Sequence, residues 1–445
     1  MASIIKTLLV EPPLLLANEK IIIDRSPGEI RVAVIKNGRL ANLFIERSNK
    51  PWLRGAVILA RITAIRKKLG ASFLDLGTAS GYIENRKPAK PIEGASIVVQ
   101  VLADPHRNKS ARVSSNICVE GNYLNLYPTA ERSSISRKIK SKKKRGLIKQ
   151  FIADNIPNNM GVHIKYSFDV SDLDLMKATA FEQIANWKNL SEKILRSRPP
   201  LTLIPSLGAV GFAITKYPEA KVCDGTNGEL FDQYDLEFEI SRALDRKVLL
   251  DDGAQLVFDE AEALTAIDID VGSSRTPRSG LDSLVAHLAK EIIWQIRLRD
   301  IAGLIFVDFP RFKDSNIKEN FLKVLQACAQ CEGLSLITHG WTRTGLLEIT
   351  RPRNGSSLKE LLVGTVEDDT PALETVALTA LRCLLKETAG VAYPEIVCSR
   401  SLKRTINGNF EKVLRDISRK LGATIFLTED GKMAKDEFLI RNRIK

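Results

Sequence analysis

Two aspartates close apolar runs on either side of a long amphipathic segment. Asp268 ends Leu264-Thr-Ala-Ile-Asp and Asp308 ends Leu304-Ile-Phe-Val-Asp. In open α/β sheets ligands collect outside the carboxyl ends of strands. A carboxylate placed there is costly unless it is paired or binds a cation. Two of them on neighbouring strands would form a hard oxygen site suited to magnesium or manganese. Asp270 lies two residues beyond Asp268 and therefore on the same face of its strand. A cation held there could polarise a phosphoryl oxygen and acidify an attacking water. Strand-end aspartates also cap helices and close turns, and the spacing alone does not choose between the two roles.

No other chemical centre competes. His106, His163, His287 and His339 are far apart in sequence and form neither HxH nor HExxH. The chain has no phosphate loop, no GxGxxG following a strand and no GxSxG, which weakens nucleotide hydrolase, dehydrogenase and serine esterase readings. Cys328 and Cys331 make one CxxC without a second pair or a nearby histidine, so a zinc site is not expected. The other cysteines are scattered, as in a reducing compartment.

The elements that must position the aspartates are legible. Lys247–Leu250 and Ala254–Phe258 flank an Asp251-Asp-Gly253 turn, and Ala263–Asp270 forms the next strand. Leu281–Arg299 reads as a long helix that feeds the strand Gly303–Phe309. Strand, crossover helix, strand argues for an α/β core. Upstream, Asn37-Gly38 between alternating runs signals a hairpin. Short strands at Val57–Ile65, Ser72–Asp75, Ser80–Ile83 and Ile97–Leu102 suggest a small barrel. Phe73 and Tyr82 within it could stack bases, as in OB-type folds, or could belong to the barrel core. Arg137–Arg145 is a basic run, residues 172–196 have helical periodicity, and Pro199-Pro200 mark a boundary.

The 445 residues imply several domains. The net charge of +13 favours a polyanionic partner. Residues 1–18 read as an extension interrupted by Glu11 and two prolines, unlike a signal peptide. No stretch reaches the ~18 apolar residues of a membrane helix, so no membrane association and a cytoplasmic location are expected.

Three segments resemble the ribonuclease E/G family. Phe258–Asp270 resembles its EALTxIDxN segment, Gln295–Phe309 its RQLRLRDxGGxIxIDF segment, and Thr344–Arg351 its xGLxExxR segment, in family order. Ile30–Val34, Ala71–Gly77 and Ile135–Ile139 also match, and the resemblance runs from Ile21 to Thr365. It implies an α/β multidomain chain in which an RNase H-like core is interrupted by an OB-fold RNA-binding barrel and followed by a DNase I-like subdomain and a small C-terminal α/β domain. The implied boundaries are 1–18 for the extension, 19–50 and 200–278 for the RNase H-like parts, 51–119 for the barrel, 120–199 for a 5′-sensor-like region, 279–362 for the DNase I-like part and 363–445 for the last domain.

The implied activity is magnesium-dependent endonucleolytic cleavage of single-stranded RNA to 5′-phosphate and 3′-hydroxyl ends. Asp268 and Asp308 would hold the metal, with Asp270 beside them in the catalytic group. Phe73, Tyr82 and Lys109 match RNA-contacting barrel positions. Lys165 matches part of the family's 5′-phosphate pocket.

The chain departs from the family at four places. Asp270 stands where the family has asparagine. Lys165-Tyr166 stand for an Arg-Thr pair, and lysine cannot make arginine's bidentate phosphate contact. A further pocket arginine is replaced near Leu334. Glu360-Leu-Leu-Val-Gly-Thr replaces the CPxCxG zinc link, so a zinc-linked dimer is not expected. These changes leave open 5′-monophosphate sensing, the oligomeric state and the natural RNA. They also keep a non-catalytic RNA-binding paralogue as the alternative, with a DNA nuclease behind it.

Overall fold

Asn37 and Gly38 both adopt positive φ, 53° and 77°, the conformation that a two-residue hairpin turn requires. The computed structural model describes residues 19–84, 91–107, 109–166, 172–272, 281–310, 316–364, 371–388 and 390–443. The extension expected at residues 1–18 lies outside the described residues. Two compact units emerge, Met1–Trp52 with Gly208–Lys445, and Leu53–Leu207.

In the first unit the Asn37-Gly38 turn joins strands Glu29–Lys36 and Arg39–Arg47. Glu19–Ser26 pairs antiparallel with the first of these and parallel with Lys221–Thr226, which completes a four-stranded sheet. Ile22, Ala33 and Ile35 pack with Phe231, Leu236 and Ile240. Ile21, Ile23, Val32 and Val34 pack with Ala209 and Ala213. With both faces covered, the strand carries a continuous Ile21-Ile-Ile23 run instead of alternation.

Asp24 ends that run at 1% exposure. Arg31 donates to it from Nε and Nη2 at 3.0 and 2.8 Å, and the Gly228 N–H donates at 2.7 Å. Arg382, on the helix Leu373–Glu387, lies 3.9 Å from Asp24 and 3.6 Å from Glu29. Glu29 in turn accepts from Arg47 at 2.9 Å. This ionic cluster joins the sheet to the C-terminal helices.

A six-stranded sheet follows in the order Lys247–Leu249, Gln255–Glu260, Leu264–Asp270, Gly303–Asp308, Leu347–Arg351, Ile337–Trp341. Its one parallel pair, Leu264–Asp270 with Gly303–Asp308, needs a long crossover. The helix Leu281–Leu298 supplies it. Leu284, Leu288, Ile292 and Ile296 of this helix pack on Ile267, Ile269, Ile305 and Val307.

The chain's last sheet centres on Pro394–Cys398, flanked by Phe426–Glu429 and Phe438–Asn442. The sequence places a strand at Ala423–Leu427, but it starts at Phe426. Phe438–Asn442 is not anticipated, because an edge strand this short and half exposed has no clear period.

In the second unit, strands Val57–Arg66, Ala71–Asp75, Ser80–Glu84, Ala111–Ser114 and Ser96–Ala103 close into a five-stranded, OB-like barrel. A separate three-stranded sheet, Ser134–Ile135, Gly161–Ile164 and Leu124–Tyr127, packs with helices Lys142–Asn155 and Leu173–Leu195. No helix among the described residues is long and apolar enough to cross a membrane.

Removing one partner of a buried ion pair strands the other charge, at a cost of about 3–5 kcal/mol. Asp24→Ala should therefore lower the urea midpoint of the full chain by a corresponding amount. A change worth under about 1 kcal/mol would show that the cluster is dispensable.

Candidate active site

The strands Leu264–Asp270 and Gly303–Asp308 run parallel with Asp268 directly opposite Asp308. Neighbouring strands lie ~4.8 Å apart, so the two carboxylates sit side by side at the carboxyl end of the pair. Alternation sends Ile267, Ile269, Ile305 and Val307 into the helix-packed core. Both aspartates point away from it and are exposed. Neither has a hydrogen bond or an ion pair among the described residues. Among the described residues their side chains cap no helix and close no turn.

Both line a cleft of about 400 Å³ together with Ile269, Phe309, Pro310, Lys318, Thr344, Gly345 and Leu346. The far wall is the turn joining Ile337–Trp341 to Leu347–Arg351. Thr342 shapes it: its Oγ1 lies 2.9 Å from Thr344 Oγ1 and accepts the Leu346 N–H at 3.0 Å, and Gly345 turns the chain at φ 96°. Lys318 enters from the first turn of the helix Asn316–Cys331. Its Nζ stands 4.7 Å from the Trp341 ring centroid and 3.5 Å from the Gly345 carbonyl oxygen.

Asp270 stands apart. It is exposed, accepts the Gly272 N–H at 2.8 Å and does not belong to the cleft lining. No group of three or more His, Cys, Asp or Glu able to hold a metal occurs among the described residues. That donor set suits magnesium, which binds through one or two carboxylates and fills its remaining positions with water and substrate oxygens.

On the barrel, Phe73 and Tyr82 are register partners, with ring centroids 5.9 Å apart in an edge arrangement. Both are half-buried and lie outside the barrel core, which holds Leu74, Leu76, Val99 and Val101. Arg112 is the register partner of Tyr82 on the next strand, so two rings and a guanidinium form one row across three strands. Lys109 is exposed in the loop just before that strand, bridged to His106 through backbone hydrogen bonds. Lys165 lies elsewhere, at the end of Gly161–Ile164, where its N–H donates to the Tyr123 carbonyl. Its neighbour Tyr166 is exposed, with Lys138 Nζ 5.9 Å from its ring.

The sequence reading missed Arg112, Lys318 and Thr344. Arg112 becomes a neighbour of Tyr82 only through a parallel pairing of non-consecutive strands. Thr344 was visible inside the Thr344–Arg351 segment but carried no sign of its cleft-lining position. Lys318 was detectable in principle, because a cation in the first turn opposes the helix dipole.

The comparisons with known proteins converge on one family. Residues 211–354 match the model of the Ribonuclease E/G family. Ribonuclease G of Escherichia coli K12 is 24% identical over 399 residues, covering 77% of this chain and 81% of that protein. Ribonuclease G of Haemophilus influenzae is 23% identical over 398 residues, with the same two coverages. Ribonuclease E of Escherichia coli K12 is 27% identical over 428 residues, covering 81% of this chain and 39% of that protein. The segment that places Asp268 beside Asp308 and builds the cleft around them falls within residues 211–354, the stretch that the family model matches.

Proposed function

We propose that this chain is a magnesium-dependent endoribonuclease that cuts single-stranded RNA. The observation that carries the reading is the register-matched pair Asp268 and Asp308, without side-chain partners among the described residues, in a cleft lined by the family-matched segment. The names of the relatives, Ribonuclease G and Ribonuclease E, agree with it. The RNase H-like and DNase I-like subdomains and the finer domain boundaries belong to the same reading.

In this mechanism Asp268 and Asp308 hold the ion. When bound, it supplies positive charge to a phosphoryl oxygen and lowers the pKa of a nearby water. The water oxygen adds to phosphorus and the P–O3′ bond breaks. The 3′-oxygen takes a proton from solvent and leaves as a hydroxyl, the attacking water's proton passes to solvent, and the new 5′ end keeps the phosphate. Phe73 and Tyr82 offer faces on which successive bases stack, with the exposed Lys109 near them for the phosphates. Lys165, a point charge without arginine's fork, contributes electrostatic attraction to a phosphate.

Asp268→Asn and Asp308→Asn should each reduce magnesium-dependent cleavage of a fluorescent single-stranded RNA below detection, while RNA affinity measured in EDTA changes less than about threefold. If both variants cut at the wild-type rate, the site assignment is wrong. If the wild type binds RNA tightly and never cuts it, the chain is an RNA-binding relative without nuclease activity.

Base stacking is worth about 1–3 kcal/mol per base. Phe73→Ala with Tyr82→Ala should therefore raise the Kd for single-stranded RNA by at least about tenfold and leave kcat at saturation nearly unchanged. Unaltered affinity would remove the barrel row from the binding surface.

Asp270 is turned onto the Gly272 N–H. Asp270→Asn should accordingly keep kcat within about tenfold of wild type, as would be read in the same assay. A loss as deep as that of Asp308→Asn would make it a metal ligand.

A further inference from the structure

A cleft that offers two carboxylates to a phosphodiester presents it with like charge. One divalent ion cancels the charge of the carboxylates and leaves the phosphate's own charge unmatched as it grows during attack. Among the described residues that line the cleft, Lys318 is the single cation. Its position is held from two sides. The ammonium lies over the Trp341 ring, 4.7 Å from Nζ to the centroid, and approaches the Gly345 carbonyl oxygen at 3.5 Å. Beneath it Phe309, Phe321 and Trp341 form one aromatic group, with centroids 4.4 Å apart for Phe309 and Phe321 and 5.9 Å for Phe309 and Trp341. Ile317 and Phe321 anchor the same helix turn in the core.

Three facts separate Lys318 from an ordinary surface lysine. No carboxylate lies within ion-pair distance of it among the described residues. It occupies the first turn of a 16-residue helix, where the helix dipole disfavours a cation. Its hydrogen-bond partner among the described residues, the Gly345 carbonyl, can use one of three ammonium hydrogens. The opposite wall is fitted to it: a Cβ at Gly345 would fall 3.3 Å from Nζ.

We infer that Lys318 is a catalytic residue that donates a charge-assisted hydrogen bond to a non-bridging oxygen of the scissile phosphate, strongest as negative charge accumulates there. This rests on the nuclease reading of the same cleft and names a residue which that reading does not need. The ammonium keeps its proton throughout, and the bond changes at phosphorus are those given above.

The test uses the full chain, a 5′-fluorescent single-stranded RNA and saturating magnesium. Wild type is compared with Lys318→Met, which keeps the stem, with Lys318→Arg, and with Asp308→Asn as the inactive reference. Lys318→Met should lose about 10²–10³ in kcat, the range seen when one transition-state donor is removed. Its Kd for the same RNA in EDTA should stay within about threefold, because one phosphate contact among many carries a small share of binding. Lys318→Arg should recover activity to within about tenfold of wild type. A Lys318→Met enzyme that cuts within twofold of wild type while Asp308→Asn is dead would overturn the inference alone. So would a Lys318→Met loss that appears wholly in Kd with kcat intact. Should Asp308→Asn cut like the wild type, the nuclease reading falls and Lys318 falls with it.

Discussion

The register between Leu264–Asp270 and Gly303–Asp308 is the constraint on which the site depends. Asp268 opposite Asp308 costs energy: two unit charges ~5 Å apart repel by ~1 kcal/mol in water and by ~3 kcal/mol at an effective dielectric near 20. Moving one strand by a residue would relieve that repulsion, yet it would also turn Ile267 or Val307 out of the core and an aspartate in. Each buried aliphatic side chain is worth about 1.5–3 kcal/mol, and Ile267, Ile269, Ile305 and Val307 are all buried on the helix side. Apolar burial on one face therefore outweighs carboxylate repulsion on the other. The sheet holds two like charges together because its opposite face leaves it no cheaper alternative.

The helix that closes the crossover does more than bridge two strands. Leu281–Leu298 is buried around most of its C-terminal half, including the charged residues Glu291 and Arg297. Glu291 accepts both Arg39 amino groups at 2.9 and 3.0 Å, and Arg39 and Gln295 together hold its carboxyl below the usual range against the opposing effect of burial. Arg297 pairs with Glu332 and donates to the Ala41 carbonyl. One helix thus packs on the six-stranded sheet through its apolar stripe and on the four-stranded sheet through paired charges.

Legibility followed the range of the contacts. The aspartate strands, their helix and the Asn37-Gly38 hairpin are local patterns, and the observed elements match them within a few residues. Phe73 and Tyr82 were ambiguous because a barrel strand alternates inward and outward, and nothing local says which set is which. Pairing decides it, since Leu74 is buried and Phe73 and Tyr82 face each other outside the core. Asp24 shows the opposite failure. Its sequence context is that of one more strand-end aspartate, yet Arg31, Arg382 and the Gly228 N–H arrive from three other places in the chain and make it part of the interior. Strand-end position therefore does not identify a metal ligand. Unpartnered exposure in a cleft separates Asp268 and Asp308 from Asp24, and that property appears only in three dimensions.

The same reasoning bears on the net charge of +13. A basic chain draws in a polyanion, with affinity that falls steeply as salt rises. The cleft that would cut that polyanion is locally acidic, so the global charge cannot do the local work. Attraction over a Debye length of ~8–10 Å is a matter of the summed field. Stabilising one phosphate at the moment of attack needs a donor fixed within hydrogen-bond reach. A lysine clamped on Trp341 answers the second requirement and adds little to the first. On the proposed reading binding and chemistry respond to different substitutions, because binding would draw on dispersed lysines and arginines while chemistry would depend on two aspartates, one ion and one fixed ammonium.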